Sequence, residues 1–210
     1  MLLPLLFPQQ NVCHFCERAL DRDALLCPDC EELLRLCRLE RSKRALPPLM
    51  SCYAVYKHAG MARELIHLLK YTGDSALAQL LGQAMAAYAR PDGAANAVLP
   101  VPMEACKRRR RGYNQAELLA RTFAQCTGAP LETGLLLRTC ETASQVGRSR
   151  AERLAAMRGT FTVPDVARVA DRRLWLVDDV LTTGATAIAC TEALRTAGAR
   201  SVTLITACRA

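Results

Sequence analysis

Apolar and polar positions fall into blocks along this 210-residue chain, and the period of each block predicts its element. Cys52-Tyr-Ala-Val-Tyr56 and Ala97-Val-Leu-Pro-Val101 are short runs that read as strands. Leu174-Trp-Leu-Val177 is a continuous apolar strand, and Val202-Thr-Leu-Ile-Thr206 reads as the last one. Between these runs the period lengthens to that of a helix. Residues 61–70 place Ala62, Leu65, Ile66 and Leu69 on one face, and 75–89 continue as an Ala-rich helix. Two more helices follow: 114–127, with Leu118, Leu119, Thr122 and Phe123 near one face, and 184–197. Residues 134–138 and 159–163 read as short extended pieces flanking a polar, Arg-rich stretch. Strands alternating with helices predict an α/β fold, its sheet mostly parallel with helices on both faces.

The first part of the chain follows another rule. Residues 1–30 are cysteine-rich with polar turns, and 31–45 carry leucines at 33, 34, 36 and 39 among charges, which predicts a short helix. Pro47-Pro48 stops any helix and marks a linker. Two units are expected, 1–46 and 47–210; only the second, at about 160 residues, is large enough to bury a core of its own.

Composition narrows the class. Apolar residues are 51% and charged residues 23%, an ordinary globular mix that excludes a disordered chain or a long coiled coil. No run approaches the roughly 18 apolar residues of a membrane-spanning helix, so no membrane insertion is expected. The opening Met1-Leu-Leu-Pro-Leu-Leu-Phe7 is broken by Pro4 and lacks a basic start and a cleavage site. It does not read as a signal peptide, and the expected compartment is the cytoplasm. There, eleven cysteines are metal ligands, nucleophiles or core residues rather than a disulfide framework. Cys106, Cys126, Cys140, Cys190 and Cys208, scattered singly, read as small buried hydrophobes, and Cys37 and Cys52 as core.

The net charge of +8 is uneven: residues 1–50 hold seven charges of each sign, so the rest of the chain carries the excess. Much of it is Lys107-Arg-Arg-Arg-Arg111, which suits a polyanion, either a phosphorylated small molecule or nucleic acid. A solvated basic loop has the same composition.

Two motifs carry chemistry. Cys13-His-Phe-Cys16 and Cys27-Pro-Asp-Cys30 form CxxC-x10-CxxC. Each turn aims two sulfurs at one point, and two turns complete the tetrahedron that Zn²⁺ accepts; metal binding would double as folding energy for so short a segment. A redox pair is the competing reading, though no thioredoxin-like unit surrounds it. In the second motif, the strand at Leu174–Val177 ends in Asp178-Asp179 and passes through Thr182-Thr-Gly-Ala-Thr186 into a helix. The carboxyl edge of a parallel sheet is where open α/β folds bind ligands. A helix N-terminus with hydroxyls and a glycine suits a phosphate, while two adjacent acids suit a vicinal diol and Mg²⁺.

The stretch Val177-Asp-Asp-Val-Leu-Thr-Thr-Gly-Ala-Thr186 resembles the phosphoribosyl-pyrophosphate (PRPP) motif of type I phosphoribosyltransferases. Val98-Leu-Pro-Val-Pro102 with Lys107-Arg-Arg-Arg-Arg-Gly-Tyr-Asn-Gln-Ala116 resembles the pyrophosphate-side loop of the competence protein F (ComF) family. Leu65–Asp74 resembles that family's lysine-ended helix, and Thr142–Arg153 with Gly159-Thr-Phe161 its mobile loop. With the cysteine knuckles, the similarity runs in order along essentially the whole chain. It implies that Asp178 and Asp179 hold the ribose hydroxyls and stabilise positive charge at C1, and that Val180, Leu181, Thr182, Thr183, Gly184, Ala185 and Thr186 wrap the 5′-phosphate. It further implies Lys70, Val101, Lys107 and Arg111 on the pyrophosphate side, Gln145, Arg148 and Arg150 on the mobile loop, and Mg²⁺ with the leaving group. Unlike many family members, the chain leaves Cys37 and Cys52 without CxxC partners, so one zinc is expected; Ala155-Ala-Met157 stands where the family often has an asparagine. The implied function is PRPP binding in natural transformation, with phosphoribosyl transfer to an unknown acceptor. The alternatives are a single-stranded-DNA-binding competence component acting with other competence proteins, and a PRPP-sensing regulator without turnover.

Overall fold

The computed structural model describes residues 11–21, 24–41, 44–47, 49–89, 94–139 and 159–210. Its elements in chain order are α1 (Pro28–Leu36), β1 (Arg44–Leu46), β2 (Leu49–Lys57), α2 (Gly60–Thr72), α3 (Ser75–Ala89) and β3 (Ala97–Pro100). Then come α4 (Ala105–Arg111), α5 (Gln115–Thr127), β4 (Leu137–Arg138), β5 (Phe161–Thr162), β6 (Arg173–Leu181), α6 (Ala185–Thr196) and β7 (Ser201–Arg209). Five strands form one sheet in the order β1-β2-β7-β6-β3. The pairs β2–β7, β7–β6 and β6–β3 are parallel, and β1 joins β2 antiparallel. The expected pieces at 134–138 and 159–163 pair as a separate antiparallel ribbon, β4–β5.

Strand alternation sorts the core into two layers. On one face, Val55, Trp175, Val177 and Ile205 pack with Leu65, Leu81 and Phe123 of α2, α3 and α5. Phe123 meets the Trp175 ring edge-on at 5.5 Å. On the other face, Leu174, Leu176 and Leu204 pack with Cys190 and Leu194 of α6 and Phe161 of β5. The α/β architecture with a mostly parallel sheet covered on both sides is therefore the one that the hydrophobic pattern predicts.

Four expectations are corrected. The helix at 31–45 is the shorter α1, because Leu33 and Leu36 face solvent at 50% and 69% exposure while Leu34 alone is buried. Residues 44–46 instead pair with β2. The strand at 174–177 does not stop at the acid pair: its ladder with β7 continues through Asp178↔Thr206 to Leu181↔Arg209. The basic block is not a loop but α4, a short helix. Finally, Cys190 and Cys208 are buried as expected, but Cys106 and Cys126 are exposed on helix faces turned to water, and Cys140 lies outside the described residues.

The cysteine segment is built into the molecule rather than appended to it. Leu26, Cys30 and Leu34 belong to the same buried cluster as Met61 and Leu65 of α2. Residues 37–39 run beside the end of β2, Leu39 donating its N–H to the Val55 carbonyl and Cys37 accepting from Lys57.

Candidate functional site

The parallel strand β6 carries Asp178 and Asp179 to the carboxyl edge of the sheet, between β7 and β3. Adjacent strand residues point to opposite faces, so the two carboxylates meet different neighbours. Asp179, 6% exposed, turns toward the helices: Lys70 Nζ from the last turn of α2 lies 3.0 Å from its Oδ2, and Gln115 Nε2 donates to it at 3.3 Å. Asp178 is half-buried and its Oδ1 accepts the Asp179 N–H at 2.9 Å. Burial pushes its carboxyl well above the usual range, the Asp179 charge adds to the rise, and the Lys70 ammonium opposes it.

Beyond β6, Thr182 to Gly184 turn the chain into α6. The Thr183 hydroxyl accepts the Ala185 N–H at 3.4 Å. A cavity of about 40 Å³ lies in this turn, lined by Asp178, Thr182, Thr183, Gly184, Thr186 and Thr206. That space holds a few water-sized groups at the positive end of the α6 dipole. Gly184 has φ +81°, which a residue with Cβ adopts only at a cost, and a Cβ there would sit 3.0 Å from Leu46 Cδ2.

A wider cleft of about 270 Å³ opens beside it. Lys70, Val101, Lys107, Arg111, Asp178 and Thr186 line it together, although they come from five separate stretches of chain. Each is a residue that the sequence motifs single out for the phosphates or the acid pair. Helix α4 explains the split of the basic block: Lys107 and Arg111, four apart, share the face toward the cleft, whereas Arg108 turns away to Glu117 at 3.2 Å. Gln145, Arg148 and Arg150 lie outside the described residues.

Sequence motifs miss other lining groups. Glu104, 8% exposed, ties Lys107 at 2.9 Å and Arg138 at 2.7 Å, so one buried carboxylate joins the α4 turn to the β4–β5 ribbon. Arg138 lies over the Phe161 ring, 5.6 Å from its centre. Asn114 does two jobs: its Oδ1 caps α5 by accepting from Ala116, and its Nδ2 donates to the Val101 carbonyl at 3.0 Å. Asparagine before a helix is the N-cap signal, so this fold-level half of its role is legible. The Glu104 and Arg138 pairing leaves no such mark, because it joins residues 34 apart without a motif.

The four knuckle cysteines also converge. The sulfurs of Cys13, Cys16, Cys27 and Cys30 all lie within 4.8 Å of one another, and Cys16 Sγ is 3.7 Å from Cys27 Sγ. A tetrahedral ion with ~2.3 Å bonds to sulfur sets its ligands ~3.8 Å apart, so the cluster fits zinc. Burial opposes ionisation of Cys13, but backbone groups of Cys16, Cys27 and Phe15 donating to the sulfur outweigh it and lower the thiol to about 6. Burial and the neighbouring sulfurs push Cys30 the other way. As four thiolates they would repel one another unless a cation lay between them.

No family model matches the chain. It is 29% identical over 215 residues to the DNA utilization protein YhgH of Salmonella typhimurium, covering 99% of this chain and 94% of that one. The YhgH protein of Escherichia coli is 28% identical over 219 residues, with the same coverage. Competence protein F of Haemophilus influenzae is 33% identical over 107 residues, 50% of this chain and 47% of its own. The chain is a homologue of these proteins. Like the resemblance read from its motifs, this kinship runs from the cysteine knuckles through the acid pair. Among solved structures, a glutamine PRPP amidotransferase of B. subtilis overlaps 68% of this chain and 30% of its own at 22% identity and TM-score 0.46. Orotate phosphoribosyltransferase of Mycobacterium tuberculosis overlaps 83% and 78% at 16% identity and TM-score 0.40. No helix among the described residues is long and apolar enough to cross a membrane.

Proposed function

We propose that this protein binds PRPP, or a related phosphorylated ribose, across the two cavities at the carboxyl edge of the sheet, and serves DNA uptake and use. One observation carries the reading: Lys70, Val101, Lys107, Arg111, Asp178 and Thr186, named for this chemistry from separate motifs, line one cleft. The turn at Thr182–Thr186 takes the 5′-phosphate, the acid pair the ribose diol, and the cations of α2 and α4 the pyrophosphate. Asp178, carboxyl raised by burial and by its neighbour, is the group that hydroxyl donors or a divalent cation would ionise. Mg²⁺, if it accompanies the ligand, would be held by Asp178 and phosphate oxygens, and would neutralise a departing pyrophosphate. When pyrophosphate leaves, positive charge develops at C1, and the acid pair faces it from fixed strand positions. Transfer to an acceptor and PRPP sensing without turnover share this site. The cysteine cluster takes one structural zinc, and 1–46 with 47–210 remains our division of the chain.

Calorimetry with PRPP and Mg²⁺ tests the site. Asp178→Asn with Asp179→Asn should weaken binding roughly ten- to a hundredfold, the loss expected of a charge-assisted hydrogen bond, with fold and metal content unchanged. Equal binding by the double variant would remove the assignment. The homologues' DNA utilization role favours a second reading, single-stranded DNA on the basic helix. It has less to work with than the sequence promises, since Lys107 and Arg111 face the cleft and Arg108 is paired to Glu117. If DNA binds there, affinity should fall with salt with a log–log slope of roughly −0.7 per phosphate contact, and PRPP should not compete.

A further inference from the structure

The corner between α2 and α3 meets the cleft's cationic wall at Lys70 and just beyond α4 at Tyr113, and the cysteine segment grips it. Lys70, one turn before the corner, holds Asp179 at 3.0 Å. The Leu69 carbonyl accepts the Tyr113 hydroxyl at 2.9 Å, which ties the end of the α4 turn to the same helix. Gly73 has φ +65°, and a Cβ there would lie 2.7 Å from the Tyr113 ring. The corner is thus a left-handed hinge with an aromatic ring laid against it. Asp74 closes it: one carboxylate oxygen accepts the Ala76 N–H at 2.8 Å and caps α3, and the other accepts His14 Nδ1 at 2.7 Å. His14 stands between Cys13 and Cys16, inside the first knuckle. At the opposite end of α2, Cys37 Sγ donates to the Ala59 carbonyl at 3.3 Å, on the residue before the helix. The segment therefore fastens α2 at both ends.

We propose that His14 is a positioning residue: through Asp74 it fixes the α2–α3 corner so that Lys70 is presented to Asp179, coupling the cysteine segment to the anion cleft. The proposal rests on the anion reading of that cleft. A lysine carries its charge on a flexible stem, and the ordering it must undergo is smaller when its backbone is already held. A glycine hinge three residues away makes that holding depend on side-chain contacts, and the cysteine segment contributes His14–Asp74 to them.

The test is calorimetric titration of the metal-loaded full chain with pyrophosphate and Mg²⁺. His14→Ala should weaken binding roughly three- to tenfold, the range of coupling between connected sites, with metal content unchanged. His14→Asn, whose amide can donate where Nδ1 does, should restore it. Asp74→Ser keeps a cap for α3 but is too short to reach His14, and should match His14→Ala. In a Lys70→Ala background the His14→Ala effect should disappear. His14→Ala and Asp74→Ser binding as the parent does would overturn the coupling, as would a weakening of full size without Lys70. If His14→Ala loses its metal, Asp74→Ser decides, since it touches no cysteine. A parent chain that does not bind pyrophosphate overturns both this proposal and the reading beneath it.

Discussion

A carboxyl group that burial keeps from ionising is a cost to the fold, and Asp178 is such a group. The folded chain holds its proton at pH values where the unfolded chain, at the ordinary 3.8, has already lost it. Between those two values the folded state binds more protons, so stability falls as pH rises through the window. Asparagine removes the cost. Asp178→Asn should therefore be more stable than the parent at pH 7, by about 0.5–2 kcal/mol, and the gain should shrink as pH drops toward the unfolded value. Denaturant unfolding at pH 7 and near pH 4 checks this. A gain that does not change with pH would mean that the carboxyl ionises as freely in the fold as outside it. Asp179 differs in its surroundings, with Lys70 at 3.0 Å and Gln115 donating to it. The same two letters in the sequence thus meet different partners.

Among the elements, the turn from β6 into α6 stands under the tightest constraint. Gly184 takes a left-handed backbone and leaves 3.0 Å between a would-be Cβ and Leu46. Gly184→Ala should cost about 1–2 kcal/mol in the left-handed region, read as a lower denaturant midpoint at unchanged slope. Gly184→Val should cost more and damage PRPP binding as well. An alanine variant as stable as the parent would show that the turn can relax. Other boundaries teach which signals the sequence carries. Helices α2, α3 and α5 lie within two residues of where periodicity puts them, since buried positions such as Leu65, Leu69 and Phe123 repeat at helical spacing. The end of β6 was illegible: Asp178 and Asp179 look like a loop, yet the β7 ladder holds them in extended form. Helix α4 was illegible for the opposite reason, as a run of cations offers no apolar face, and its side chains pair with Glu104 and Glu117 instead. In α1, Leu33 and Leu36 mimicked a longer buried stripe while facing water. Motif residues of the cleft could be read in advance, whereas Glu104 and Arg138 could not, because only folding brings them together.

At the scale of the whole molecule, the cysteine segment and the sheet share one core, with Cys13, Cys27 and Cys30 in the cluster that holds Leu65 and Trp175. Removing the metal should therefore loosen more than the first forty residues. Elemental analysis should find one zinc per chain, and a chelator should lower the melting temperature of the entire transition by roughly 10 °C, at about 2–4 °C per kcal/mol for this size. A separate low-temperature step, with the main transition unmoved, would mean that the segment folds alone. The order of the strands has a consequence for how such a chain is made. β7 is the middle strand of the five and the last of them in chain order, and β2 and β6 are joined to each other only through it. On the ribosome, the sheet through β6 emerges as two strand sets not yet paired with each other, β1–β2 and β3–β6, each with a bare edge. Pairing them early would place the acid pair beside the wrong neighbour. Synthesis thus withholds the keystone strand until the other four are out, and a nascent chain stays open to chaperones, and to aggregation, until the residues after α6 arrive.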